Sequence, residues 1–170
     1  MTRNLPRTSP RNRTRNLRTG LTAILLLIAA ASSFAAENIF DPTRDSAKDL
    51  AAAEVQAKAE HKHILLDVGG NWCSWCHLLD RTLHENPALT SALEKNYVVV
   101  HVNWDPDHEN QAFLSHYPKT EGYPYLLILA ADGKLLHAQS TDALEADHHL
   151  NAGHNQSVIL EFLTKWAPAK

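Results

Sequence analysis

The sequence predicts an α/β protein with a central mixed sheet flanked by helices, and three observations carry that prediction. Helical and strand signals alternate in the order helix, strand, helix, strand, helix, strand, strand, helix, which implies parallel pairing through crossovers and an antiparallel pair at the end. Asp132-Gly133 separates the apolar runs Tyr125–Leu129 and Lys134–Ala138, a strong hairpin signal. The only two cysteines, Cys73 and Cys76, stand where a strand gives way to a helix.

Residues 1–35 are set aside as a signal peptide. Arg3, Arg7, Arg11, Arg13, Arg15 and Arg18 form a basic stretch without an acid, followed by the apolar run Leu21–Ala31. Ser33-Phe34-Ala35 offers small residues at the two positions a signal peptidase reads, so cleavage is expected between Ala35 and Ala36. The run is shorter than the ~18 residues of a membrane span, which ranks an uncleaved signal anchor second. It is also too compact for a mitochondrial transit peptide. Export, to the periplasm or an equivalent oxidising compartment, is the expected localisation. Residues 36–170 are then long enough for a single domain with a real core. Six of the 16 basic residues belong to the leader, leaving ten against 19 acidic ones, which argues against nucleic acid as a partner.

Within that domain, Asp45 or Ser46 caps a helix through about Glu60, with Ala47, Leu50, Ala51, Val55 and Ala59 expected near its packed face. His63–Val68 is a short apolar run ended by Gly69-Gly70, a buried strand. Leu78, Leu79 and Leu83 continue a helix from the cysteine motif to Glu85, and Asn86-Pro87 restarts it with Asn as N-cap and Pro at the first helical position. Tyr97–Val102 is β-branched and forms the second strand. Asp105-Pro106 repeats the cap-plus-proline signal and predicts a helix to about Tyr117. After the hairpin, Val158, Ile159, Phe162, Leu163 and Trp166 mark a closing amphipathic helix.

The chemistry concentrates in Trp72-Cys73-Ser74-Trp75-Cys76-His77. Cys-x-x-Cys spacing at a strand-to-helix junction puts the first thiol at the helix N-terminus and the second one turn deeper, a geometry that closes a small reversible disulfide. The partial positive charge and free N–H groups there lower a cysteine pKa from about 8.5 into the range of roughly 3.5–7.5, which makes Cys73 the expected nucleophile. A purely structural disulfide, the usual inference in an oxidising compartment, fits poorly because so short a loop restrains the unfolded chain little. Asp67 is an anomaly, since a carboxylate in a buried strand is costly unless paired, hydrogen-bonded or protonated. It either shuttles a proton for the inner thiol, Cys76, or is a strand-end carboxylate reaching solvent or a helix cap. Trp72 and Trp75 are expected to offer an apolar docking area to a partner chain, whereas Trp104 and Trp166 are assigned to packing. His77 is either a helix-surface residue or a modest source of thiolate-favouring charge.

From Ile64 to Trp166 the chain resembles the thioredoxin superfamily. The resemblance rests on Leu66-Asp67-Val68 ahead of Trp72-Cys73, Asn103-Trp104-Asp105 after the second strand, Gly122-Tyr123-Pro124 before the hairpin, and the terminal helix. Thr82-Leu83, Asn86-Pro87-Ala88-Leu89 and Tyr97-Val98-Val99 look most like exported thioredoxin-like proteins, and are similar to the periplasmic C-terminal domain of the bacterial membrane thiol-electron transporter. The resemblance implies a thioredoxin fold and disulfide exchange with protein thiols. It implies that Cys73 attacks substrate disulfides, Cys76 resolves the mixed disulfide, Asp67 assists proton transfer, and a cis Pro124 faces the pair. Tyr123, beside that proline, joins Trp72 and Trp75 as a candidate substrate contact. No cofactor is implied beyond the redox-active disulfide, and a monomer is expected. A redox partner such as a membrane electron transporter resets the pair. Ser74-Trp75 stands where thioredoxin has Gly-Pro, which leaves the direction of electron flow open, with the reductase direction favoured. The segment Gln139–Asn155 is longer than its thioredoxin counterpart and carries His148, His149 and His154.

Other readings compete. The main alternative is a non-catalytic thioredoxin-like binding or chaperone module. Cys73–His77 also satisfies C-x-x-C-H, the covalent haem pattern; the one methionine, Met1, departs with the signal peptide, and although one of the eleven histidines could replace it as second axial ligand, the buried-strand lead-in and the thioredoxin-like order make haem the lesser reading. His148, His149 and His154 lack the cysteine or tight carboxylate spacing of a metal site and are expected to form a polar loop.

Overall fold

The computed structural model describes Met1, residues 38–146 and residues 153–169. The expected signal peptide and the pair His148-His149 lie outside the described residues. Ten elements follow in order: α1 (Ser46–Glu60), β1 (His63–Gly69), α2 (Ser74–Glu85), α3 (Pro87–Asn96), β2 (Tyr97–Asn103), α4 (Gln111–Leu114), β3 (Tyr125–Leu129), β4 (Leu135–Ser140), a 3-10 turn (Thr141–Leu144) and α5 (Gln156–Lys165). The strands make one sheet in the order β2-β1-β3-β4. β1 and β2 run parallel, while β1–β3 and β3–β4 are antiparallel. Parallel pairing is therefore confined to the β1–β2 crossover, because β3 enters the sheet reversed.

The period-two pleat of β1 sorts its side chains between two apolar layers. Ile64, Leu66 and Val68 pack with Val98, Val100, Leu127 and Leu129 and with Ala53 and Ala57 of α1. Leu65 faces the opposite layer, with Leu79 and Leu83 of α2, Leu89 and Leu93 of α3, and Ile159, Phe162 and Leu163 of α5. Tyr97 joins this second layer and donates its hydroxyl to the Leu163 carbonyl at 2.8 Å, so its polar tip is satisfied in the core. Asp67 and Gly69 follow Leu65 at two-residue steps and so point to the α2 side of the sheet.

The capping signals read at Asp45 and Asn86 operate as predicted, and Asn155 caps α5 in the same way. The Asp45 carboxylate accepts the N–H groups of Ala47 and Lys48, the Asn86 side chain those of Ala88 and Leu89, and the Asn155 side chain those of Ser157 and Val158. Two expectations are corrected. The buried stripe of α1 is Ser46, Ala53 and Ala57, with Leu50 half-buried; Ala47, Ala51, Val55 and Ala59 are exposed. An alanine-rich helix carries too little contrast between its faces for spacing to choose one. The helix expected from Asp105 to Tyr117 shrinks to α4. Asp105 does cap, but it caps a turn: Oδ1 accepts the N–H groups of Asp107 and His108 at 2.9 and 2.8 Å, and the backbones of Asp105 and His108 pair with each other. Asn110 then adopts a left-handed conformation (φ 47°) and donates its side-chain amide to the Asn103 carbonyl, so the helix begins only after it.

Candidate active site

β1 and α2 build the site at their junction. Cys73 is the N-cap of α2, and Cys76 lies one turn in; the two form a disulfide with Cα atoms 5.3 Å apart. Cys73 Sγ accepts the N–H of Cys76 at 3.1 Å, and the Cys73 carbonyl receives the N–H groups of Cys76 and His77. The sulfur of Cys73 thus occupies the place a capping oxygen usually takes, facing donors and the positive end of the helix dipole. After reduction the same arrangement favours a thiolate at that sulfur. Cys76 is 0% exposed and Cys73 5%, so Cys73 is the sulfur nearer the surface.

Gly69 explains how the sheet comes so close. A Cβ at this position would stand 2.6 Å from Cys76 Sγ and 2.9 Å from the Phe40 ring, nearer than real side-chain contacts come. Phe40, fully buried, packs against both cysteines, and Asn71 fixes it with two hydrogen bonds: Phe40 N–H to Asn71 Oδ1 at 3.1 Å, and Asn71 Nδ2 to the Phe40 carbonyl at 2.6 Å. The described segment before α1 therefore closes the back of the disulfide.

Asp67 is 3% exposed on the α2 side of β1, so it is not a carboxylate reaching solvent. Its parallel-register partner is His101, whose Nδ1 donates to Asp67 Oδ2 at 3.2 Å. Burial, the largest influence, pulls the His101 pKa down, but the hydrogen bond and charge of Asp67, with a contribution from Asp80, outweigh it and hold the ring above the usual histidine value. The Phe40 ring meets His101 edge-on at 5.4 Å, joining the acid–base pair to the cysteine cluster. His101, Phe40 and Asn71 were not singled out in the sequence. A histidine in an otherwise apolar β-branched strand was the available signal for the first, and an aromatic in a polar leader for the second.

The outer face is aromatic. Trp72 is 55% exposed, meets Trp104 and Tyr123 edge-on at 5.8 Å each, and donates Nε1–H to the Trp104 carbonyl at 2.8 Å. Trp104 and Tyr123 stack at 4.8 Å. Trp104 packs as expected, half-buried against the layer of Val100, Val102 and Tyr125, and its ring also extends this surface, its backbone N–H bonding to the Gly69 carbonyl. Trp166 does pack, stacked on His137 at 4.3 Å. The Tyr123–Pro124 peptide is cis, Tyr123 packs against the cysteine cluster, and the Pro124 carbonyl accepts the Thr141 hydroxyl at 3.1 Å. Trp75 is half-buried, and His77 donates Nε2–H to the Asn71 carbonyl at 3.0 Å.

His154, expected in a polar loop, is 7% exposed with its ring edge-on to Trp75 at 5.3 Å. The backbone reason is a short pairing: Ala146 N–H bonds to the Gly153 carbonyl and Asn155 N–H to the Leu144 carbonyl, with Glu145 bridging to His154. Among the described residues no cluster of three or more histidine, cysteine or acidic side chains is arranged to hold a metal ion.

Comparison with known proteins places this geometry. A disulphide isomerase from Xylella fastidiosa Temecula1 superposes with a TM-score of 0.65 at 26% identity, over 77% of this chain and 98% of that one. The reduced C-terminal domain of DsbD from Neisseria meningitidis superposes at 0.51 with 19% identity, over 72% and 96% of the respective chains, a likeness of fold. An uncharacterized protein of Caenorhabditis elegans is 32% identical over 81 residues, 45% of this chain, and the match spans 11% of that protein's length. A thioredoxin-like family pattern matches residues 45–131, which include α1, β1, the cysteine motif and β3, and the chain belongs to the thioredoxin-like family.

Proposed function

We propose that this protein is an exported thiol–disulfide oxidoreductase that exchanges disulfides with protein substrates through Cys73 and Cys76. The observation that carries the reading is the Cys73–Cys76 disulfide at the N-terminus of α2, with Cys73 Sγ receiving a backbone N–H and Cys76 buried behind it. The likeness to a disulphide isomerase supports thiol–disulfide exchange as the chemistry. In the reductase direction favoured here, the Cys73 thiolate attacks a substrate disulfide and forms a mixed disulfide. Cys76 then attacks Cys73, the electron pair leaves on the substrate sulfur, and the protein is left oxidised. A membrane electron transporter is the kind of partner that would return the two electrons. Trp75 and Tyr123 pack against the cysteine cluster and Trp72 meets Tyr123 edge-on, offering ring faces and edges suited to an unfolded or loop segment of substrate.

The test is the reduction potential of the pair, measured by equilibration in graded thiol–disulfide buffers with trapping of free thiols. A value near −270 mV is expected of a reductase fed by a donor, whereas one near −120 mV would make the protein an oxidant. Failure to cycle in any buffer would leave the non-catalytic binding module in its place.

A further inference from the structure

Among the described residues, three buried side-chain polar atoms have no hydrogen-bond partner: Asp67 Oδ1 and both ring nitrogens of His154. Buried polar groups are almost always paired, so orphans confined to two residues need one explanation. Each residue adjoins a neighbour of the same disulfide. Asp67 stands on β1 two residues before Gly69, whose missing Cβ makes room for Cys76 Sγ; His154 sits on the ring of Trp75, between the two cysteines. Neither residue is turned away to solvent, and Asp67 spends only Oδ2, on His101.

We propose that His154 is a positioning residue of the redox pair, acting with Asp67 to set the proton affinity of Cys76. The proposal rests on the exchange reading above and adds a residue to it. When Cys76 attacks the mixed disulfide, its S–H bond breaks and a Cys76–Cys73 bond forms. The bond from Cys73 to the partner sulfur breaks, and the electron pair leaves on that sulfur, which takes a proton from solvent. The proton of Cys76 must leave a site with no exposed surface. Asp67 Oδ1 and the unprotonated nitrogen of His154 are the buried acceptors with capacity to spare. A neutral ring leaves the thiol protonated at rest; once the proton arrives, the negative field of the Asp67 carboxylate favours the imidazolium.

The surroundings agree with a ring neutral at rest. Burial lowers the His154 pKa below the usual value, opposed in part by the charge of Asp67. His154 immediately precedes Asn155, the N-cap of α5, where the helix dipole also disfavours a cation. From α2 the ring of Trp75 meets His154, while His77 of the same helix is turned to Asn71; Glu145 bridges to His154 through the backbone.

Stopped-flow reaction of the reduced protein with a chromogenic aromatic disulfide separates the two thiols, because release of the first aromatic thiolate reports Cys73 and release of the second reports Cys76. In the wild type the second phase is expected to inflect below pH 7. His154→Phe is expected to slow it about tenfold at neutral pH, one pKa unit on Cys76, and to remove the inflection. The same variant should not lower the urea midpoint, since it replaces unpaired polar atoms by an aromatic ring of similar shape. His154→Gln, polar but unable to take the proton, is expected to show the same loss. A wild-type pH profile for the second phase in either folded variant overturns the role of His154 and leaves the exchange reading intact. Absence of a second phase in the wild type overturns the exchange reading, and the proposal with it.

Discussion

His101 is a half-exposed ring that the fold has tied to a buried acid, and that tie has a sign. Its native pKa is raised because the Asp67 carboxylate stabilises the imidazolium more than burial penalises it. A raised native value means that the folded state binds the proton more tightly than the unfolded chain. The stabilisation is therefore complete below the unfolded value of about 6.5 and is lost as pH rises through the native one. His154 is displaced the other way, so its contribution is present above about 6.5 and fades as pH falls through its lowered native value. The two slopes overlap in the wild type, and a difference measurement separates them. Urea midpoints of wild type and His101→Gln, taken from about pH 5.5 to 8.5, should converge toward the alkaline end as the wild type loses the histidine contribution. A gap that stays constant across the window would mean that the His101–Asp67 contact is not an ion pair in solution.

At the scale of elements, what was legible in the sequence was local. Asp45, Asn86 and the Asp132-Gly133 turn act within a few residues of themselves, and the helices and hairpin they announce are present. Asp105 carried the same signal and produced a turn, because its second carboxylate oxygen was taken by Asn103 and the chain closed on His108. The candidate site was legible in Cys73, Cys76 and the anomaly of Asp67, each marked by residue type in an unusual place. His101, Phe40 and His154 were not, since their partners are 34, 31 and 79 positions away and no periodicity reports such pairings. Phe40 shows what that hides: a residue just before α1, outside every regular element, forms the back wall of the disulfide. Truncating a fully buried phenylalanine costs about 3–5 kcal/mol when the site cannot collapse. Phe40→Ala should lose stability on that scale in urea unfolding, and its reduced form should be alkylated faster at Cys76. If alkylation stays slow, α2 alone protects the inner thiol.

For the whole molecule, redox state and stability are one thermodynamic cycle, because the disulfide can be formed in the folded or the unfolded chain. A fold that makes its disulfide hard to reduce must, by the same amount, be stabilised by it; a fold that makes its disulfide easy to reduce is more stable as the dithiol. The structure contains terms of both signs. The disulfide packs its apolar sulfurs against Phe40 with Gly69 at close approach, favouring the oxidised form. The α2 N-terminus offers Cys73 an N–H donor, favouring a thiolate and hence the reduced form. Which outweighs the other decides the direction of electron flow. The interval between −270 and −120 mV corresponds to roughly 7 kcal/mol for a two-electron couple, far above the error of a denaturation experiment. Urea unfolding of the oxidised and the reduced protein therefore gives an independent answer. A reductase should be the more stable of the two when oxidised. A higher midpoint for the dithiol would place the α2 thiolate term ahead of the packing around Phe40 and turn the proposed direction round, with the exchange chemistry at Cys73 and Cys76 unchanged.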